Sequence, residues 1–167
     1  MAFYPTEATV IPQAIAETST TKMLPLGTIV RAVDTATATN YGGAEFIYLQ
    51  GIGSTVVGSV VNYDISFLTA LATIALANGQ PVAVAMSANV ASQYGWYQIA
   101  GLATMAKANT VSFAAQAAVG AASGLAIAAA SDLRLGGSIV AVVASAKSDV
   151  TTVKVMIDRP AGPAHTA

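Results

Sequence analysis

Side chains able to do acid–base or metal chemistry are few in this chain. The single histidine, His165, is third from the C-terminal end, where a general base is poorly held against its partner. Cysteine is absent, which excludes thiolate zinc ligands, cysteine nucleophiles and disulfides. We therefore predict no enzymatic activity, no cofactor and no metal site. The carboxylates lack the spacing of a calcium loop or a recognisable acid–base pair: Glu7, Glu17, Asp34, Glu45, Asp64, Asp132, Asp149 and Asp158.

Glycines and aromatic residues offer two further kinds of site. Gly51 and Gly53 precede Ser-Thr-Val-Val, a strand pattern, whereas a dinucleotide fingerprint requires a helix at this point. Tyr94, Trp96 and Tyr97 could stack on a sugar or a base. The alternative is burial in the core combined with a contact to a partner, and Trp96 is therefore a candidate partner-binding residue.

The charge content is low for a chain of 167 residues. Seven basic and eight acidic residues make 9% charged side chains and a net charge of −1, whereas ordinary soluble domains have about 25%. Without a basic surplus we predict no nucleic-acid partner. Between positions 65 and 131 the single charged residue is Lys107. The surface that this stretch forms is either covered by partner proteins or hydrated through neutral polar side chains. We expect that partners cover it, and hence that the chain is a homo-oligomer, most simply a homotrimer.

Membrane segments are not expected. Residues 1–12 lack the basic and apolar regions of a signal peptide. The most apolar uncharged window, 113–130, is rich in alanine and shorter than the roughly 20 strongly apolar residues of a spanning helix. We therefore predict no membrane partner.

Short β-branched runs separated by glycine turns indicate an all-β fold, a small β-barrel or β-sandwich. Gly58 lies inside one run and predicts a bulge or a close backbone approach. In 81–90, large and small residues alternate, which predicts a strand with one packed face. The expected strands cover 27–34, 45–50, 54–64, 81–90, 94–105, 138–144 and 151–158.

Two alanine-rich segments, 67–76 and 113–130, are ambiguous, because alanine is the best helix former. A short helix around 124–132 is compatible with this composition. Gly120 and Gly124 interrupt the second segment, however, so strands and loops are favoured for most of 110–130.

Residues 1–22 are predicted to form an extended N-terminal arm, ahead of a domain at 23–160 and a flexible tail at 161–167. Pro5 and Pro12 favour extended backbone around them. The arm also contains apolar side chains that a disordered tail would lack. The alternative is that it folds back on its own domain. Its candidate partner-binding residues are Phe3, Tyr4, Val10 and Ile11.

The segment 93–101, QYGWYQIAG, resembles a strand of the head decoration, or cement, proteins of tailed bacteriophages. That strand has the pattern Gly-Trp, an aromatic or aliphatic residue, Gln, two variable residues and Gly. The resemblance extends in style over 24–160. Further similar segments are 27–30, 45–49, 121–125, 136–141 and 153–160.

This resemblance implies a small β-barrel or β-sandwich without enzymatic activity, located on the outer surface of the virion capsid. Its partner would be the major capsid protein, and such proteins often act as trimers at threefold positions. A second hypothesis is a receptor- or glycan-binding module of a virion tail or fibre, in which Tyr94, Trp96 and Tyr97 would stack on sugar.

Overall fold

The fold is described from a computed structural model over residues 3–5, 11–35, 42–73, 79–129, 134–136, 140–141 and 151–161. These residues form strands, turns and loops, and none of them is helical. The strands within this part of the chain are β1 (Phe3–Pro5), β2 (Thr18–Ser19), β3 (Ile29–Asp34), β4 (Gly42–Gln50), β5 (Val60–Tyr63), β6 (Thr69–Leu71), β7 (Val82–Ala85), β8 (Tyr94–Ala106), β9 (Val119–Ala122), β10 (Leu125–Ala128), β11 (Val140–Ala141) and β12 (Thr152–Asp158).

The main sheet is antiparallel and follows the order β1-β3-β4-β8-β7-β5-β6, with β2 and β12 also paired to β8, and β11 paired to β12. Strands β9 and β10 form a separate hairpin. Because β1 and β6 do not pair with each other, the main sheet is open and the arrangement is sandwich-like. The predicted all-β class is confirmed, and of the two predicted architectures the closed barrel is not observed.

Strand β8 is the centre of this sheet. Its first half pairs with β4 and its second half with β12. The β4–β8 register shifts between Glu45 and Phe46, and Gly101 adopts φ +97° beside this irregularity. A Cβ at Gly101 would lie 2.7 Å from the carbonyl oxygen of Gly43, so only glycine fits where the two strands separate.

The first face of the main sheet packs two clusters, one at each end. Around Val60, Val84 and Met105 it is covered by Phe113 and the β9–β10 hairpin. Around Trp96 it is covered by the N-terminal segment, residues 11–26. The second face has a third cluster, covered by the β5–β6 connection. Its buried members are Ile47, Leu49, Val61, Ala83, Ala85, Tyr97 and Ile99.

Strand β7 differs from the prediction of one packed face. Val82 and Val84 are buried in the first-face cluster, and Ala83 and Ala85 are buried in the second-face cluster. The alternation of large and small residues therefore reflects two packed faces of unequal depth. The alternation of residues along a strand has the same period of two whether both faces are buried under different layers or one face is exposed to solvent. Period alone therefore does not distinguish the two cases.

The remaining strand predictions are confirmed with shorter or shifted bounds, except that only Val140–Ala141 of 138–144 lies within the described residues, where it forms β11. In 54–64 only Val60–Tyr63 is strand, and Gly58 makes the predicted close approach, since a Cβ there would lie 2.8 Å from the Ala106 nitrogen. The compatible helix at 124–132 is not formed in its described part. There Leu125–Ala128 is strand β10, joined to β9 by a turn in which Ser123 and Gly124 both have positive φ.

Candidate interaction surface

Trp96 is fully buried, which corrects its assignment as a partner-binding residue. Its indole Nε1 donates a hydrogen bond to the carbonyl oxygen of Gln13 at 3.0 Å. Its ring lies 5.1 Å from the ring of Tyr48, measured between centroids. An apolar ring with its one polar atom already satisfied is a core residue, and the folded chain does not present it to a partner.

The N-terminal segment is held by its own domain from Ile11 onward, which corrects the expectation of an extended arm over 1–22. Gln13 is buried, and its side chain accepts a hydrogen bond from the Tyr48 hydroxyl at 2.7 Å. The Gln13 amide donates to the carbonyl oxygens of Glu17 and Tyr94. Ile11 packs half-buried against the Trp96 cluster. The segment thus folds back on its domain, as the alternative prediction proposed.

The other candidates in this segment have different outcomes. Phe3 and Tyr4 belong to β1, whose backbone pairs with residues 32–34 of β3 at the edge of the main sheet. Val10 lies outside the described residues. In the predicted tail, Ala161 is tied to Gly136 by backbone hydrogen bonds, and the single histidine, at 165, lies outside the described residues.

The aromatic platform proposed for sugar stacking is not formed. Tyr97, like Trp96, is fully buried, and its hydroxyl accepts a hydrogen bond from the Asn89 amide at 2.9 Å. Burial raises the pKa of Tyr97 above its usual value, although side-chain hydrogen bonds with Asn89 and Thr69 oppose this shift. Asn89 also explains Gly95, where an added Cβ would clash with the side-chain amide of Asn89. The glycine in the motif makes room for a buried amide.

Six of the nine exposed large apolar side chains in the described residues lie on three connections, β4–β5, β5–β6 and β7–β8, and the other three are Met23, Ile29 and Met156. These connections meet at the end of β4, where the Gly51 N–H donates to the Gln93 carbonyl oxygen and the Gln50 N–H donates to that of Phe67. We call their exposed apolar residues the loop surface. Its members are Ile52, Val56, Val57, Ile65, Leu68 and Val90.

The stretch 65–131 has one charged residue, Lys107, and contributes no exposed charge to the surface. Lys107 is buried, and its Nζ donates a hydrogen bond to the carbonyl oxygen of Val111 at 2.8 Å. A buried ammonium needs hydrogen-bond acceptors or an opposite charge to offset the loss of its hydration. Sequence reasoning did not identify Ile65 or Val57 as exposed positions. No local pattern marks these two positions as exposed, since Ile65 directly follows Asp64 and Val57 lies inside a β-branched run.

Charged side chains gather instead in a groove of about 500 Å³ across β3, β4 and β8. Glu45 accepts a hydrogen bond from Arg31 Nε at 2.9 Å on one oxygen and from Arg159 Nη2 at 2.6 Å on the other. Burial opposes ionisation of Glu45, but the two guanidinium groups outweigh it and hold the pKa of this carboxyl below 4.5. The groove therefore contains a closed ion triad, with the carboxylate already shared between two cations.

We expect Glu45→Gln to lower stability at pH 7 by up to about 1 kcal/mol, since both arginines are largely exposed. A carboxyl with a depressed folded-state pKa stabilises the fold above its unfolded pKa, near 4.5, and loses this contribution as pH falls through the folded value. Urea unfolding of the wild-type chain and of Glu45→Gln should therefore show a difference in the free energy of unfolding at neutral pH that disappears in acid. Glu17→Gln, at an exposed position, is the control. A gap that persists at low pH would contradict the ion-pair explanation.

Among the described residues, no three histidine, cysteine or acidic side chains come together as metal ligands. No helix long and apolar enough to cross a membrane occurs in that part of the chain. Comparison with known protein families, with curated protein sequences and with solved structures finds no match to this chain.

Proposed function

We propose that this chain is a non-enzymatic structural protein of a tailed-bacteriophage virion that binds the outside of the assembled capsid through the major capsid protein. The observation that supports this best is the surface itself. Residues 65–131 expose no charge, and apolar side chains project from three adjacent loops. Uncharged surface with several exposed apolar side chains is typical of sites that a protein partner covers.

The resemblance of 93–101 to decoration proteins supports this proposal through the fold. In this segment Gly95 accommodates Asn89, Trp96 is buried, and Gly101 separates β4 from β8. These residues build the core of a sandwich. The partner contact is therefore expected on the loop surface and at the β1 edge, where Phe3 and Tyr4 lie.

Capsid stabilisation requires no catalytic group. A protein that binds the assembled shell and not its free subunits stabilises the shell by mass action. Many copies on one shell act together, and copies joined into a trimer at threefold positions would gain further from multivalency. The receptor- or glycan-binding alternative loses its main support, because Trp96 and Tyr97 are buried.

The test is cosedimentation of the purified chain with heads of the phage that encodes it. We expect binding to assembled heads in a constant ratio to the main shell protein, and no binding to unassembled capsid protein. Bound heads should also resist heating or chelation better than heads stripped of the chain. Association with tail fractions alone, or binding to glycans without binding to heads, would overturn the proposal.

A further inference from the structure

The first face of the main sheet is covered by two separate elements. At one end Phe113 and the β9–β10 hairpin cover the cluster that contains Val84. At the other end residues 11–26, which we call the strap, cover the cluster that contains Phe46 and Trp96. Among the described buried residues none belongs to both clusters, so each cover has a core of its own.

Gln98 separates the two clusters. In β8 it lies directly opposite Phe46 of the strap's cluster on one side and Val84 of the hairpin's cluster on the other. It is fully buried, and its Nε2 donates a hydrogen bond to the Ala100 carbonyl oxygen at 3.1 Å, while its Oε1 accepts none from the described residues. A polar amide at this position interrupts the apolar contacts through which one cover would stabilise the other.

The strap itself is held at few points. Of its 16 residues only Gln13 and Ile15 are buried, and its strand β2 adds two residue pairs with β8. The Gln13 side chain accepts a hydrogen bond from the Tyr48 hydroxyl at 2.7 Å and donates one to the Tyr94 carbonyl oxygen at 2.9 Å. The Gln13 carbonyl oxygen accepts the indole N–H of Trp96 at 3.0 Å. A segment with little buried surface, anchored mainly through one residue, opens at a lower free energy than the whole domain.

Aromatic rings lie beneath the strap. Tyr48 and Trp96 are fully buried there with their ring centroids 5.1 Å apart, and the ring of Tyr94 stacks on that of Tyr48 at 6.3 Å. The residue after the strap, Gly27, is tied to β4, because its N–H donates to the Tyr48 carbonyl oxygen at 2.8 Å. Movement of the strap therefore does not require the pairing of β3 with β4 to break.

We propose that the strap opens as a unit while the rest of the domain stays folded, with Gln13 as its latch. The opened state exposes the aromatic cluster of Tyr48, Tyr94 and Trp96. The chain thus has a cryptic apolar surface, present in a minor state and withheld in the closed one.

Hydrogen exchange followed by NMR tests this opening. The chain has a single tryptophan, so the indole N–H of Trp96 gives one signal, and that N–H is bonded to the strap. The Ala85 amide, which donates to the Ser59 carbonyl oxygen at 2.8 Å, reports on the main sheet. We expect the indole to be protected at least tenfold less than the Ala85 amide. Low concentrations of urea should reduce the protection of Ala85 more steeply, because opening of the strap exposes less surface than global unfolding.

Two variants distinguish opening of the strap from unfolding of the whole domain. Gln13→Ala removes the latch side chain but keeps the carbonyl group that holds the indole. It should lower the protection of both protons about tenfold, since the closed state loses stability relative to every open state. Val119→Ala weakens the hairpin's cluster, in which Val119 is fully buried. It should lower the protection of Ala85 about tenfold and leave that of the indole within twofold, because the hairpin stays folded when the strap opens.

Equal losses of protection at both protons in Val119→Ala would show that the strap and the hairpin unfold together, and would overturn the inference. An indole protected as strongly as the Ala85 amide in the wild-type chain would do the same. An unchanged indole in Gln13→Ala would refute the latch. If Val119→Ala does not fold, Ile157→Val, a milder change in the same cluster, provides the comparison. Glu17→Gln, at an exposed position of the strap, is the control and should change neither protection.

Discussion

Deletion of residues 2–15 should destabilise the folded chain by about 3–5 kcal/mol. This deletion removes buried Ile15, half-buried Ile11 and the Gln13 hydrogen bonds, and so uncovers the first-face cluster around Trp96. For a chain of this size the midpoint of thermal unfolding should fall by roughly 6–20 °C. An arm that only reached a partner would leave this midpoint unchanged, so the experiment separates a structural role from a purely docking one.

Trp96 provides an independent measurement of the same deletion, because it is the single tryptophan of the chain. Its buried indole should emit at short wavelength and resist quenching by iodide in the full chain. In the truncated chain the emission should shift to longer wavelength and become quenchable. Ala14→Ser, at an exposed position between Gln13 and Ile15, is the control and should change neither quantity. Unchanged melting and emission after truncation would show that the segment contributes nothing to the fold.

Gly58→Ala should cost about 3 kcal/mol or more, because two effects add at this position. Gly58 has φ +85°, a conformation that costs an alanine about 1–2 kcal/mol. The new Cβ would also lie 2.8 Å from the Ala106 nitrogen and 3.0 Å from the Thr104 oxygen. Both are backbone atoms of β8, the central strand, and cannot move aside by rotating a side chain.

Gly53→Ala is the matched control in the same connection. No atom lies within 4 Å of a Cβ at Gly53, and its φ is not positive. We expect its stability to stay within about 0.5 kcal/mol of the wild-type chain in urea unfolding. Equal effects of the two substitutions would show that the Gly58–Ala106 approach does not constrain the fold.

The assignment of strands followed from local chemistry, and it was largely predictable. In β12 Val153, Val155 and Ile157 alternate with exposed residues, and this period of two matches the observed burial. Gly58 was expected to mark a close approach, and it does. In 113–130 the glycines correctly outweighed the helix propensity of alanine, since Gly124 forms the β9–β10 turn. In such cases the structure depends on the backbone preference of one residue, or on alternation with a period of two, and both act within a few positions along the chain.

The candidate site was less predictable. Large side chains of mainly apolar character mark the candidate residues Phe3, Tyr4, Val10, Ile11 and Trp96. Size and polarity, however, do not distinguish a contact with a partner from a contact with the same chain. Trp96 is a core residue because it bonds to Gln13, which lies 83 positions away in the sequence. Gly95 is required because the side chain of Asn89 packs against it. No local sequence pattern predicts either contact.

The sequence by itself determined the all-β class, most strand positions, and a long stretch whose one charge is Lys107. The tertiary structure decided that this lysine is buried, that β7 is packed on both faces, and that residues 11–26 cover the Trp96 cluster. It also decided that Ile65 is exposed and lines a surface recess. The physical reason is that strand formation depends on neighbours along the chain, whereas burial depends on which layer covers each face of the sheet. That covering is set by long-range contacts in a sandwich whose strands pair far apart in sequence.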